Sequence, residues 1–308
     1  MNERKIIGFG KASYIITLPN NWIKENKLEK GSVVITKEMK DSLVVEVKKK
    51  IPTKEVVIHF DDLPLKILNK KIISYYLKNY KYIKLKGEKV IERLEEIRIF
   101  KEKLSSIEIY EIGKDYIILK DLSDASKFEV YDLLNKITNM ISVLFDEVVD
   151  KQRHNFISQI DSNINKLTFL SYKTINYNLD NMVKIEENKH AIHLWRMVTS
   201  LETIGDILKR IARYLNRDKE NAKKLQILII SVKEYYDFII KLINTKANID
   251  NNLKLYLDRK QSLLKEIEEG KNNSNSHMNL YLVVTQLLKD LIGNLDNVAL
   301  SVIDIHFE

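Results

Sequence analysis

The chain has 308 residues, of which 44% are apolar and 31% charged, a composition that can bury a sizeable core and excludes a disordered polypeptide. It has no cysteine, which excludes disulfides, cysteine-ligated zinc and thiol catalysis, and its apolar runs, such as ILII at 227–230, are too short to span a bilayer. The net charge of +8 is uneven, because residues 1–50 carry +5 and the last 184 residues about +1. We therefore expect a soluble, cytoplasmic protein with a basic N-terminal part. Such a charge pattern is found in nucleic-acid binders, but on charge alone lysine-rich solubility is the favoured explanation.

The basic segment, residues 1–50, predicts a small β-rich domain. The expected elements are strands at 4–9, 13–18, 32–37 and 42–48, with a short helix in PNNWIKEN after Pro19. Four short strands and a short helix bury little apolar surface alone, so we expect partner chains to complete this domain. The segment GFGKAS lacks the glycine spacing and the following helix of a phosphate-binding loop, so no nucleotide site is expected there.

Residues 51–125 mix both periodicities and predict an α+β connector. The expected elements are strands in KEVVIHF and YIKLKG, helices at 65–80 and 90–104, and a hairpin in SIEIYEIGKDYIILKDL that turns at Gly113-Lys114. His59 stands alone in a strand without a cluster of catalytic side chains, so we expect a packing or surface role for it.

The remaining chain is helical by pattern, because apolar residues recur three and four positions apart. Helices are predicted near 126–151, 153–179, 187–216, 219–246, 248–269 and 278–304. The breaks between them fall at DNMVKIEEN, NRDKE and GKNNSNSH. The six helices predict two three-helix bundles, residues 126–217 and 218–308, so the fold class is mainly α with a small β N-terminal domain.

The helix LETIGDILKRIARYL, residues 201–215, carries two carboxylates one turn apart, Glu202 and Asp206. Both fall on one flank of the apolar stripe, where like charges at this spacing repel each other. Lys209 and Arg213 share that flank and Arg210 lies four residues after Asp206, so the residues alone indicate a solvated charged stripe. A metal site would need further oxygen ligands from other helices.

Residues 3–48 contain Arg4-Lys5, Gly8, Gly10, SYIITLPNNW and LEKGSVV. With these residues the segment resembles the SpoVT/AbrB family of swapped-hairpin domains. It implies an intertwined dimeric β-barrel that binds DNA through a basic face, for which Arg4, Lys5 and Lys11 are the candidates. The alternative is that this domain only dimerises the chain.

The motif LETIGDILKRIA resembles the signature helix of the PhoU family, in which Leu-Glu-x-Ile-Gly/Ala-Asp is a carboxylate motif. The segments SYYLKNYKYIKLKG and LSSIEIYEIGKDYIILKDL are similar to the region that precedes the bundle in archaeal members. In that family such motifs on neighbouring helices supply acidic ligands to iron, zinc or similar clusters. The resemblance therefore implies a divalent or ferric metal held by Glu202, Asp206 and Asp161.

The chain departs from the family pattern in its second helix. The usual Asp-x-x-x-Asp is DSNIN here, so that Asn165 supplies a neutral amide four residues after Asp161. An arginine and a histidine common in the family are replaced by Thr203 and Ile207. At most one weakened metal site is expected in the first bundle.

The last helix allows two alignments with the motif. One places Asp290 and Asn294 opposite the two carboxylates, and the other places Lys289 and Gly293 there. The phase of the apolar stripe in 288–302 favours the second alignment, in which the second repeat has lost the motif. His190 and His193, three residues apart, are expected to pack rather than to ligate a metal.

The two resemblances together imply a homodimeric regulator of phosphate uptake or homeostasis. Its basic head would bind DNA, and its helical body would sense a ligand or dock on a partner. The alternative is a dimeric interaction protein that does not bind DNA and docks on a phosphate transporter or a signalling partner. No recognisable nucleophile or acid–base pair is present, so we do not expect an enzyme. Because the apolar runs are too short to span a bilayer, we do not expect membrane insertion either.

Overall fold

The computed structural model divides the chain into two compact units, Met1–Pro52 and Thr53–Glu308, which are described separately. The structure describes residues 3–38, 42–47, 54–61, 63–151, 153–181, 188–216, 219–244, 249–272 and 278–307. Within those ranges, no helix is long and apolar enough to cross a membrane.

The N-terminal unit consists of two antiparallel hairpins separated by a short helix. Strands β1 (Ile7–Phe9) and β2 (Ser13–Ile15) form the first hairpin, and β3 (Val34–Glu38) and β4 (Leu43–Val47) form the second. Helix α1 (Asn20–Glu25) begins directly after Pro19. The predicted order of elements is confirmed, with shorter strands in the first hairpin. The two hairpins form separate sheets in the single chain, and the dimeric barrel stays a prediction.

No residue in the described part of the N-terminal unit is buried. Large apolar side chains are instead exposed along both hairpins and next to them: Ile6, Ile7, Phe9, Tyr14, Ile15, Ile16, Val33, Ile35 and Leu43. Burial of apolar surface is the main favourable term in folding, and the described residues of this unit form no such core within one chain.

The second unit begins with a mixed four-stranded sheet of order β5-β6-β8-β7. Strand β5 (Glu55–His59) pairs in parallel with β6 (Tyr82–Lys86), and helix α2 (Leu65–Leu77) provides the crossover between them. Strands β7 (Ile107–Ile112) and β8 (Tyr116–Asp121) form the predicted hairpin, and β8 also pairs antiparallel with β6. The predicted α+β character of this segment is confirmed.

One face of this sheet carries the local core. Its apolar residues pack with helix α2 and with α3 (Leu94–Lys101) in a single buried cluster that includes Ile83, Leu85, Ile117, Leu119, Leu68, Ile72, Ile97 and Phe100. Helix α2 ends earlier than predicted because Asn79 adopts a left-handed conformation, φ 59°, which closes the helix. The side chains of the opposite face alternate with the buried ones and remain partly exposed.

Six long helices follow within the described residues, as predicted. They are α4 (Val130–Asp146), which continues into a π-helical turn at Glu147–Lys151, α5 (His154–Asn181), α6 (Ala191–Leu215), α7 (Lys219–Asn244), α8 (Ile249–Asn272) and α9 (Met278–Phe307). The predicted breaks at 180–188 and 270–277 lie largely, and the break at 216–220 partly, outside the described residues.

The helices pack in two groups, α4–α6 and α7–α9, and the most extensive helix–helix contact joins α6 to α9. A continuous apolar cluster runs through both groups. The six helices therefore share one core, and their division into two PhoU-like repeats stays a prediction.

A buried ion pair attaches the sheet to the helical body. Lys173 of α5 donates to the carboxylate of Asp121 at the end of β8, and the two side chains are 1% and 3% exposed. Lys173 Nζ also lies 2.5 Å from Ser123 Oγ and 4.7 Å from the ring centroid of Tyr76, while Ser106 donates to Asp121 at 2.6 Å. Burial lowers the pKa of Lys173 even though the Asp121 charge opposes this shift. A buried charge pair is tolerated only when its polar atoms are hydrogen-bonded in this way.

We expect Lys173→Met to lower the free energy of unfolding by about 3–5 kcal/mol, because Asp121 would stay buried without its cation. Urea unfolding followed by circular dichroism measures the decrease. The double variant Lys173→Met/Asp121→Asn should recover much of it, since no bare charge then remains buried. Lys54→Met is the matched control, because Lys54 lies 3.5 Å from Asp180 in an exposed pair and its removal should cost less than about 1 kcal/mol. An equal loss of unfolding free energy in Lys173→Met and Lys54→Met would contradict a special role of the buried ion pair in stability.

Candidate functional site

The carboxylates of α6 lie on the flank that the sequence predicted. Leu201, Ile204 and Leu208 are fully buried and fix the inner face of the helix, which leaves Glu202 half-buried and Asp206 exposed at the seam with α5. Helices α5 and α6 approach each other closely at Gly205. A Cβ atom added to Gly205 would lie 3.3 Å from Ile164 Cδ1 of α5, so the missing side chain permits the close approach of the two helices.

Helix α5 contributes the third predicted residue, Asp161, which is buried. Its carboxylate accepts a hydrogen bond from Lys209 Nζ of α6 and also contacts the Asp206 carboxyl. The structure thus brings Asp161, Glu202 and Asp206 together. Lys209, one of the cations on the same flank, pairs with the most buried of the three carboxylates.

The cluster favours protonated carboxyls. Burial, followed by the charges of Asp206 and Asp161, raises the pKa of Glu202 from its ordinary value of 4.5 to about 7. Burial also raises the pKa of Asp206, with the Asp161 charge and hydrogen bond adding to the effect, while Lys209 and Arg210 oppose it. Desolvation and like charges both disfavour the ionised form of an acid.

The donor set does not fit a preformed metal site. Among the described residues, no group of three or more acidic or histidine side chains is arranged to hold a metal ion. The Lys209 ammonium occupies the Asp161 carboxylate, where a metal would otherwise supply the positive charge. Metal binding by Glu202, Asp206 and Asp161 stays a prediction.

The last helix offers no equivalent carboxylate pair among its described residues. Lys289 Nζ lies 2.9 Å from Glu268 Oε1 of α8. The Asp290 carboxylate accepts a hydrogen bond from Gln286 of the same helix. Sequence reasoning missed a different acid of α9, Asp296, which lies 2.9 Å from Lys260 of α8. Burial raises the pKa of Asp296. Its pairing resembles that of Asp161 with Lys209, but no motif in the sequence marks it.

His190 and His193 lie at the start of α6, and both are half-buried. The carbonyl of His190 accepts the hydrogen bond from the Leu194 amide. His193 Nδ1 lies 3.4 Å from Asp304 Oδ2 of α9, an acidic partner that the sequence did not reveal. Arg196 of the same helix donates to Asn297 at 2.9 Å, so this end of α6 makes polar contacts with α9.

The three basic residues predicted to contact DNA are all exposed, and they lie at the two ends of the first hairpin. Arg4 and Lys5 precede β1, and Arg4 Nη1 donates to Thr17 Oγ1 at 3.4 Å. Lys11 lies in the turn between β1 and β2, next to Gly10, whose φ of 70° closes the turn. A single chain therefore does not bring Lys11 together with Arg4 and Lys5.

Comparison of the chain with protein-family models, curated proteins and solved structures finds no match. The resemblances to the SpoVT/AbrB and PhoU families therefore depend on the quoted motifs alone.

The raised pKa of Glu202 predicts a specific pH dependence of stability. Between pH 4.5 and about 7 the folded state binds a proton that the unfolded state has lost, so the Glu202 contribution destabilises the fold as pH rises. Glu202→Gln removes this effect. We expect the variant to match the parent near pH 4.5 and to exceed it by about 1 kcal/mol at pH 8, a value reduced by solvent screening of the partly exposed side chain.

Urea unfolding at both pH values measures the difference. Glu234→Gln is the control, because Glu234 lies on α7 away from the three carboxylates of the seam. A constant offset between Glu202→Gln and the parent at the two pH values would contradict the prediction.

Proposed function

We propose that the protein is a homodimeric regulator of phosphate homeostasis, similar to the PhoU family, whose basic N-terminal unit binds DNA and whose helical body senses a ligand or partner. One observation carries the proposal. The described residues of Met1–Pro52 form two hairpins and a short helix with no buried residue, and their apolar side chains face solvent.

A second copy of the chain is the natural partner for these surfaces. Isolated two-stranded hairpins are marginally stable in water, and full burial of one large apolar side chain contributes about 1.5–3 kcal/mol. Ile7 and Phe9 lie two residues apart in β1 and therefore on one face of the hairpin. Ile15 of β2 lies directly opposite Ile7 and adds to the same face. A twofold axis would pair such faces with each other and build the missing core.

The charge of the unit supports DNA as its ligand. Residues 1–50 hold eleven lysines and arginines against six acidic residues, and a dimer doubles this excess. Arg4, Lys5 and Lys11 are exposed and accessible to phosphates. Dimerisation also supplies two copies of each cation, so residues at opposite ends of one hairpin contribute to one extended basic surface.

The dimer is tested with Ile7→Glu/Phe9→Glu. We expect the parent chain to be a dimer by light scattering after size-exclusion chromatography, and the double variant to be a monomer with unchanged helical circular dichroism. Ile192→Glu is the control, since Ile192 is 80% exposed on α6 and outside the hairpins. A parent chain that is monomeric at tens of micromolar concentration would overturn the proposal.

DNA binding is tested by gel shift with the DNA upstream of the protein's own gene, across a range of salt concentrations. We expect Arg4→Glu and Lys11→Glu to weaken binding and to reduce the salt slope by about one for each phosphate that the protein no longer neutralises. Lys30→Glu makes the same charge change at another exposed position of the unit and is the control. Unchanged affinity and slope in the first two variants would exclude these residues from the DNA interface.

The second candidate is a dimeric interaction protein that docks on a phosphate transporter or a signalling partner. It is favoured by the near-neutral helical body, on which Ile192, Ile227 and Phe307 are 80%, 62% and 60% exposed. A dimer that does not shift DNA even at low salt supports this alternative.

A further inference from the structure

The open face of the four-stranded sheet forms a second region with ligand-binding chemistry. The strand register aligns Glu55, Tyr82 and Lys120 in one row across β5, β6 and β8. The next row on the same face is Val57, Lys84 and Ile118. The neighbours of these residues along each strand point to the opposite face, where they join the core with α2 and α3.

A bulge in β7 adds a further aromatic side chain to this face. The register between β7 and β8 shifts between Ile109 and Glu111, so Tyr110 is the extra residue. Its ring lies 5.7 Å from that of Tyr82 in an edge-to-face arrangement at 65°. Bulges commonly redirect a side chain beside a functional site, and here the bulge pairs two tyrosines on an open sheet surface.

The two tyrosines line a shallow cavity of about 390 Å³. Its wall consists of Glu55, Val56, Val57, Tyr82, Lys84, Tyr110 and Ile118. Val57 and Tyr110 are 51% and 57% exposed, so the cavity is open to solvent. The volume lies at the lower end of the range for small-ligand pockets, about 300–1,000 Å³, and the mixture of apolar floor, aromatic wall and few charged groups is typical of them.

Two lysines provide positive charge at this face. Lys84 Nζ lies 3.9 Å from the ring centroid of Tyr116, and Lys120 Nζ lies 4.3 Å from that of Tyr110. Neither ammonium has a carboxylate partner among the residues that the structure describes. The neighbouring acids Glu108 and Glu111 are instead bound by Lys101 and by the Tyr116 hydroxyl.

We propose that this face binds a free nucleotide. The base stacks on the ring of Tyr82 and contacts Tyr110, whose ring stands edge-to-face to it. The phosphate is bound by Lys84 and Lys120, and Glu55 accepts a hydrogen bond from a base amino or ribose hydroxyl group. Aromatic rings stack on any base, and lysine is a common phosphate ligand. Inorganic phosphate alone would leave the tyrosines unused, and an uncharged apolar ligand would leave the lysines unused. The inference is independent of the proposed role of the N-terminal unit.

The test is titration of the full chain with adenosine 5′-monophosphate and guanosine 5′-monophosphate by isothermal titration calorimetry. We expect at least one of them to bind with a Kd below about 1 mM. Tyr82→Leu should weaken binding about tenfold or more, whereas Tyr82→Phe, which keeps the ring, should retain it. Tyr110→Leu provides the same test at a more exposed position, where the substitution does not disturb the core.

The lysines are tested by their selectivity for phosphate. Lys84→Gln and Lys120→Gln should weaken the monophosphate several-fold and leave the parent nucleoside unaffected. Lys70→Gln is the matched control, because Lys70 is exposed on α2, which packs against the opposite face of the sheet. Absence of binding at 5 mM nucleotide (about five times the expected upper limit of Kd), or equal affinity in the tyrosine variants and the parent, would overturn the proposal. A single-stranded oligonucleotide that binds more than about a hundredfold tighter than either monophosphate would also overturn it, in favour of nucleic acid.

Discussion

The buried ion pair between Lys173 and Asp121 determines how the sheet packs against the helical body within Thr53–Glu308. Two charges removed from water are stable only while each faces the other, and here Ser106 and Ser123 satisfy the remaining polar positions. Any rotation of the sheet on α5 would expose an uncompensated charge to an apolar environment. The four-stranded sheet therefore belongs to the same compact unit as the helices, and α5 contributes side chains to the apolar clusters on both of its sides.

Buried charge must also be compensated at the seam between α5 and α6, but here the acidic groups outnumber the lysine that pairs with them. There three carboxyl groups lie close together, and one lysine, Lys209, neutralises the most buried of them. The other two lower their repulsion by holding protons more strongly, which is why burial and neighbouring charge raise the pKa values of Glu202 and Asp206. Lys209 thus offsets the charge of Asp161, and the raised pKa values of Glu202 and Asp206 lessen the repulsion between the remaining two carboxyls.

In the N-terminal unit it is apolar side chains, rather than charges, that lack a suitable environment. Its hairpins satisfy their backbone hydrogen bonds, but the apolar side chains of both hairpins remain in water in the single chain. The proposals for the two parts therefore differ in kind. The described helices share a continuous buried core within one polypeptide, whereas the described residues of the basic unit include none that is buried. The four-stranded sheet combines both features. One of its faces packs in a buried core, and its open face presents tyrosines and lysines to solvent.

The sequence by itself determined the elements and their order, because helix and strand periodicities are local properties of the chain. Residues 201–215 revealed the flank that carries Glu202 and Asp206, since one helix sets that phase alone. Only the tertiary structure decided that Asp121 pairs with Lys173, 52 residues away, and that Asp161 pairs with Lys209. It also decided that a bulge places Tyr110 beside Tyr82. These contacts depend on strand register and on the packing of helices distant in sequence, and no local pattern encodes either of them.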